Sequence, residues 1–163
     1  MKKYFFITIF VLFTGQFVLA QDLDSLMKEI AKSPNAKREV TDGATMAKTI
    51  EANMPKDTTG TLARLLPVIQ KVDSMVTIST QVPDSVVNDL IKNYKISNSD
   101  SIIKVMDRNP FHVRTIAHKK DGITTAIFIL FDVDPMMGAI TKISGKFEEA
   151  DLKEMATNRL MGN

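Results

Sequence analysis

The chain has 163 residues, no cysteine and a formal net charge of +2, with both signs of charge interspersed. Nucleic-acid binding needs a concentrated basic face, so this near-neutral composition argues against it. The absence of cysteine excludes disulfides, thiolate nucleophiles and cysteine-ligated zinc. The length suits one domain with its own core, and the low glycine and proline content is typical of an ordered globule.

The first twenty residues have the layout of a secretory signal peptide. Lys2 and Lys3 precede an apolar stretch over residues 4–13, and the segment ends on the small residue Ala20. A membrane-spanning helix needs ~20 consecutive apolar residues, so an uncleaved anchor is the weaker alternative. We expect cleavage between Ala20 and Gln21, and export to the periplasm or the extracellular space.

Cleavage would remove the two lysines that carry the whole formal excess of charge. The remaining 163 − 20 = 143 residues hold 21 − 2 = 19 basic and 19 acidic side chains, so the mature chain is formally neutral. No cysteine follows the apolar stretch, which excludes attachment of lipid to cysteine. We expect no transmembrane span after cleavage, and a domain that depends on its hydrophobic core alone.

The mature chain begins with a predicted helix, a short strand and a second helix. Apolar residues at helical spacing predict the first helix over residues 23–30, with Asp22 as its cap. Residues 37–41 predict a short strand. The second helical stripe covers residues 46–54, and Asp42 is among its candidate caps.

A third helical stripe and a strand follow. The stripe covers residues 62–69 but contains Pro67, which removes a hydrogen bond and clashes one turn back. We therefore expect a broken helix or two short turns there. Alternation of β-branched residues predicts a strand over residues 74–80, with Val76 and Ile78 on its buried face.

The clearest helical stripe of the chain begins at Pro83 and Asp84 and extends to Tyr94. Residues 98–100 form a predicted loop, which offers a cap for a short element. The apolar residues of that element are Ile102, Ile103 and Met106.

The C-terminal third predicts an antiparallel three-strand meander over residues 111–118, 123–133 and 137–144. The second of these strands is apolar on both faces, so it must be covered on both and is expected to be central. Gly145 is expected to end the third strand. A last helix then begins near Glu148, and its apolar positions are Leu152, Met155, Ala156 and Leu160.

Helices followed by consecutive strands indicate an α+β fold. The predicted fold is an antiparallel β-sheet, made of the C-terminal meander plus one or two earlier strands, packed with amphipathic helices. Residues 1–20 are the predicted signal peptide, and residues 21–163 form a single α+β domain.

Two histidines, His112 and His118, are the first candidates for chemistry. They lie on the same face of one predicted strand, six residues and hence ~20 Å apart, so they cannot hold one metal ion together. Each is expected to be a surface histidine.

Asp132 and Asp134 are spaced i, i+2 before a proline, and two carboxylates near a loop can contribute to a calcium site. An EF-hand loop needs several more oxygen ligands and a glycine at a fixed place. Turn formation explains the pair better, because aspartate bonds its own backbone and proline ends a strand.

Ser144-Gly145-Lys146 faintly resembles a phosphate-binding turn, but one glycine is too few to surround a phosphate. The acidic group of the last helix is most simply a solvated face, and it consists of Glu148, Glu149, Asp151 and Glu154. The sequence therefore assigns no catalytic, cofactor-binding or metal-binding residue, and no cofactor.

The order of elements in the second half is familiar. A strand over residues 75–80, a helix and a lysine-rich turn precede two apolar strands. The most similar stretch is Ile143-Ser144-Gly145-Lys146, followed by Asp151-Leu152 and Met155. This pattern resembles the domain-of-unknown-function 4252 family of secreted Bacteroidota proteins over about residues 24–160. The resemblance implies an exported α+β domain and brings no activity, because that family has no established catalytic residues.

Three hypotheses for function remain, and on the third, a signalling or stress-linked module encoded beside its regulator, the sequence is silent. The first is a non-catalytic envelope module that binds another envelope protein or a small apolar ligand, with Met136 and Met137 as part of its surface. The second is a periplasmic hydrolase with an unrecognised site. The second requires His112 or His118 in a cleft, within hydrogen-bond reach of a carboxylate from another strand.

Overall fold

Residues 22–80, 82–133 and 136–157 are described by a computed structural model of the chain. The expected signal peptide and its cleavage site lie outside the described residues, as do Asp134 and Leu160. Within the described ranges, no helix is both long enough and apolar enough to cross a membrane.

Six strands form one antiparallel sheet in the order β1-β2-β6-β5-β4-β3. Their bounds are β1 Ala36–Asp42, β2 Val72–Thr80, β3 Asp100–Arg108, β4 Phe111–Lys120, β5 Ile123–Val133 and β6 Met137–Phe147. The predicted α+β class and antiparallel sheet are confirmed, and so is the central position of β5. Three strands rather than one or two precede the predicted meander, because β3 adds to it as a fourth antiparallel strand.

Three of the helices begin directly after an aspartate that the sequence offers as a cap. Their bounds are α1 Leu23–Ile30, α2 Gly43–Asn53, α3 Thr61–Ile69, α4 Ser85–Asn93 and α5 Glu149–Thr157, with a 3₁₀ turn at Met54–Lys56. Asp22, Asp42 and Asp84 each accept a hydrogen bond from a backbone N–H three residues later. These bonds satisfy donors that a helix start leaves without partners.

Both faces of the sheet are covered, and the alternation of β5 shows how. Phe128 and Leu130 point to a core that also holds residues of α1 and α4. Ile127 points to a second core with residues of α3 and α5. All three side chains are at most 1% exposed. The result is a sheet between two helical layers.

The layer of α1 and α4 does not reach the two edges of the sheet. Helix α1 contacts β2, and α4 contacts β5 and β6. On this face Val40 of β1 is 55% exposed, while Ile102 and Val105 of β3 are 52% and 53% exposed. Part of the sheet surface beside each helix, next to an edge strand, is therefore not covered by either helix.

Three expectations about the boundaries of elements are wrong. Pro67 does not break its helix, because α3 runs through it and ends two residues later. Gly145 does not end β6, which continues to Phe147. A side-chain carbon at Gly145 would lie 2.4 Å from the Lys71 carbonyl oxygen, so glycine permits this close approach of two backbones. Asp100 is not a loop residue that caps a short element, because it begins the edge strand β3, which has a bulge between Ile102 and Lys104.

Candidate binding groove

A row of side chains crosses the sheet on the face that carries α4. Asp107 of β3 pairs with His112 of β4, His112 pairs with Asp132 of β5, and Asp132 pairs with Gly138 of β6. Directly opposed residues in antiparallel strands point to the same face, with Cβ atoms ~5 Å apart. The register therefore brings an imidazole and two carboxylates together beside α4.

These residues border a cavity of ≈ 280 Å³ between α4 and β3, which we name the α4–β3 groove. Its apolar part includes Ile91 of α4, Leu130 of β5 and Val105 of β3. Its charged and polar residues are Lys92, Asp107, His112, Arg114 and Asp132.

Asp132 is not a turn residue, so the turn explanation is wrong for it. It lies inside β5 with 1% of its surface exposed, and the Nζ atom of Lys92 is 3.7 Å from its Oδ2 atom. A carboxylate in so apolar a place is stabilised by a nearby cation. Gly138 contributes to this arrangement, since a side-chain carbon there would lie 2.8–3.0 Å from atoms of α4.

His112 is held by a carboxylate on the neighbouring strand. Its Nδ1 atom is 2.5 Å from Oδ1 of Asp107, and its side chain is 38% exposed. The contact fixes the plane of the imidazole at the groove. The expected surface histidine is therefore only half-exposed, and it meets the geometric condition set for the hydrolase hypothesis.

Arg114 connects β4 to α4 beside the groove. Its guanidinium donates to the carbonyl oxygens of Ile91 and Tyr94, at 3.1 Å for Tyr94, at the C-terminal end of α4. Burial lowers the pKa of Arg114. Cations are favourable at a helix C-terminus, so this side chain positions α4 over the sheet.

His118 belongs to a different cluster, around the buried carboxylate of Asp100. That carboxylate is 1% exposed and lies 2.7 Å from Nδ1 of His118. It also accepts hydrogen bonds from Tyr94 at 3.1 Å and Ser97 at 2.6 Å. Burial and the Asp100 charge raise the pKa of Tyr94. The cluster connects the loop after α4 to β4, and His118, with 33% of its side chain exposed, is half-exposed like His112.

The remaining sequence candidates lie away from the groove. Ser144-Gly145-Lys146 is part of β6 and not a turn before a helix. Asp151 is 7% exposed and accepts hydrogen bonds from Lys71 Nζ at 2.8 and 2.9 Å, so for this residue the solvated-face interpretation is wrong. It also accepts one from the backbone N–H of Glu148 at 2.7 Å, as in a capping box.

The hairpin methionines differ in exposure. Met136 is 63% exposed, whereas Met137 begins β6, opposite Val133, and is partly buried. Within residues 22–80, 82–133 and 136–157, no group of three or more His, Asp or Glu side chains could hold a metal ion.

Lys92, Asp107 and Arg114 line the groove but are not among the site residues that the sequence predicts. Asp107 is predictable once a strand over residues 100–108 is paired with β4, because that pairing places it opposite His112. Strand alternation places Arg114 on the same predicted face as His112, but its bonds to α4 have no signal in the sequence. Lys92 has none either, since its role depends on where α4 crosses the sheet.

A scan of protein-family models, a search of curated proteins and a search of solved structures each found no match to this chain. The resemblance to the domain-of-unknown-function 4252 family therefore stays a prediction.

Proposed function

We propose that the protein is an exported, non-catalytic binding module of the cell envelope. In this proposal an extended segment of a partner protein adds to the edge of the sheet at β3. One apolar side chain of that segment enters the α4–β3 groove. The observation that carries the proposal is an edge strand with exposed Ile102 and Val105 directly beside a mostly apolar groove.

The two edges of the sheet differ in a way that favours β3. An edge strand presents backbone N–H and C=O groups to an incoming strand, and charged side chains discourage such pairing. The exposed residues of β1 include Lys37, Arg38 and Glu39 in succession. In β3 the exposed charges Asp107 and Arg108 lie together at the end of the strand, and the exposed Ile102 and Val105 before them favour contact with an apolar partner.

The size and charge of the groove support an apolar side chain as its occupant. Small-molecule sites usually enclose ~300–1,000 Å³, so ≈ 280 Å³ is small for a free ligand and suits one side chain of a docked segment. The ionisable side chains that line the groove already lie near partners, with Lys92 near Asp132 and His112 near Asp107. A charged occupant therefore gains little there.

A comparison of the two edges tests this proposal. Extended peptides would be selected from a random displayed library on the protein purified from cells that express the full chain. Val105→Lys and the matched Val40→Lys introduce the same charge at similarly exposed edge positions on one face. We expect Val105→Lys to weaken binding at least tenfold and Val40→Lys to leave it unchanged, by fluorescence anisotropy.

Amide hydrogen exchange supplies the second measurement. A bound peptide is expected to slow exchange in β3 and to leave β1 unaffected, because only the backbone groups of the paired edge become protected. Equal weakening by both lysine variants, or protection that excludes β3, contradicts the proposal.

Export forms part of the proposal, and the signal-like segment over residues 1–20 supports it. N-terminal sequencing of the protein from the envelope or the medium tests it. We expect the chain to begin at Gln21, and a chain that begins at Met1 or Lys2 contradicts export with cleavage.

A hydrolase remains the second candidate, and the geometry of His112 favours it. An imidazole oriented by Asp107 at 2.5 Å in a groove with Asp132 opposite has the arrangement of a general base. No serine, threonine or cysteine lines the described groove, so the nucleophile would be water. Purified protein that hydrolyses p-nitrophenyl esters or phosphates, and loses that activity in His112→Ala, supports it. No turnover by the wild type contradicts it.

A further inference from the structure

A second groove lies on the same face, between α1 and β1, and we name it the α1–β1 groove. Its volume is ≈ 440 Å³. Its apolar surface comes from Met27 of α1 and from Val76 and Ile78 of β2. Three cationic side chains surround that surface, Lys28, Arg38 and Lys142.

The cations come from three separate elements, α1, β1 and β6, and converge on one apolar surface. Asp24 is the acidic residue among those lining the groove, and it accepts a hydrogen bond from Lys142 Nζ at 2.6 Å. The lining therefore has a formal charge of 3 − 1 = +2. Lys142 is further held over the ring of Phe128, with its Nζ atom 5.4 Å from the ring centre.

We propose that the α1–β1 groove binds a straight-chain acyl carboxylate. The acyl chain lies along Met27, Val76 and Ile78, and the carboxylate faces Arg38 and Lys28. An apolar floor beneath an excess of positive charge is complementary to a molecule with an apolar tail and an anionic head. The charged β1 edge disfavours an added peptide strand, which separates this occupant from the one proposed for β3.

Calorimetric titration with hexanoate, octanoate and decanoate, each below its micellar concentration, tests the proposal on protein purified from cells that express the full chain. We expect saturable binding of one molecule per chain, tightening about fourfold per added methylene as the tail covers apolar surface. Octanol, which has the same tail without the charge, is expected to bind at least fivefold more weakly than octanoate.

Three variants locate the site, and their folding is checked by thermal unfolding. Ala31 is an exposed lining residue, so Ala31→Phe fills the groove without entering the core and should abolish octanoate binding. Arg38→Gln should weaken it about two- to fivefold, the range expected for one exposed charge contact. Lys32→Gln, in the turn directly after α1, removes a cation that pairs with Glu29 outside the groove, and should change nothing.

The outcomes are decisive in either direction. Octanoate binding that survives Ala31→Phe, equal affinity for octanol, or equal weakening by Arg38→Gln and Lys32→Gln overturns the proposal. Tighter binding of octyl phosphate than octanoate overturns the assignment of a carboxylate. The Val105→Lys variant should bind octanoate normally, so failure of the β3 proposal and failure of this one are separate results.

Discussion

Gly138 controls how closely α4 lies on the sheet, and Gly138→Ala tests that role. The added carbon would lie 2.8 Å from Asn88 Oδ1, 2.9 Å from Val87 Cγ1 and 3.0 Å from Ile91 Cδ1. Carbon atoms normally pack at ~3.5–4.0 Å, so each contact is at least half an ångström too short for comfortable packing. Three residues of one helix are involved, so a single rotamer change cannot relieve the overlap.

Several of these side chains must therefore change position together, or the helix must shift away from the sheet. Overpacking of this kind destabilises a protein by about 1–3 kcal/mol. For a domain of this size we expect a decrease in Tm of roughly 3–10 °C. Equilibrium unfolding in urea, followed by circular dichroism, measures the change in free energy.

A double-mutant cycle separates the steric clash from other effects. Val87→Ala removes one of the clashing atoms, so Gly138→Ala should cost less in that background, with a coupling of about 0.5–3 kcal/mol. Val68→Ala, in the core on the opposite face, is the matched control and should add to Gly138→Ala within ~0.5 kcal/mol. A fully stable Gly138→Ala protein, or equal additivity in both backgrounds, refutes the reasoning.

Three further predictions concern polar groups. Asp100→Asn should lower the unfolding free energy by about 1–3 kcal/mol in urea titrations, because it disturbs a buried hydrogen-bonded carboxylate. The control variant Asp107→Asn changes a carboxylate that is 73% exposed and should lower the unfolding free energy by less than about 1 kcal/mol. Hydrogen bonds from Ser33 and from a backbone N–H lower the pKa of Asp84 from 3.8, so the stability that its carboxylate contributes is complete above pH 3.8 and declines as pH falls through the folded pKa. The difference in unfolding free energy between the wild type and Asp84→Asn should therefore be constant above about pH 5 and shrink below about pH 4. A constant difference at acid pH contradicts this. Arg114→Lys keeps the charge but cannot reproduce the bonds to two α4 carbonyls, so it should cost about 1 kcal/mol in the same assay, and an unchanged midpoint contradicts the anchoring role.

The parts of the fold that the sequence predicts are those where local preference and burial agree. Residues 123–133 are apolar on both faces, and the resulting strand is central because both faces are covered. Asp22 and Asp84 precede helical stripes, and each caps its helix. In these cases the residues within about ten positions of one another are sufficient to determine the local structure.

The missed strand β3 shows why other elements are not predictable in this way. Ile102 and Val105 share one face although they are three residues apart, because the bulge between Ile102 and Lys104 shifts the alternation. Ile103 consequently packs against the other core. A strand with a displaced alternation resembles neither a regular strand nor a helix, and its assignment depends on pairing with β4.

The same limit applies to the groove. The position of Asp132 shortly before a proline favours a turn, whereas the residue lies buried inside β5. Its burial depends on being opposite His112 on one side and Gly138 on the other, where α4 covers it. Strand order is a property of the whole sheet, so no short window of sequence contains it.

The two grooves have a common origin in the mismatch between six strands and two helices. Helices α1 and α4 cover the middle of one face of the sheet and leave the surface near both edge strands exposed. The edges differ in chemistry, because β1 bears successive charges and β3 bears exposed Ile102 and Val105. In the two proposals, the groove beside β1 binds an acyl carboxylate and the groove beside β3 receives a side chain of an added strand. Because the grooves lie beside opposite edges, the two ligands should bind independently.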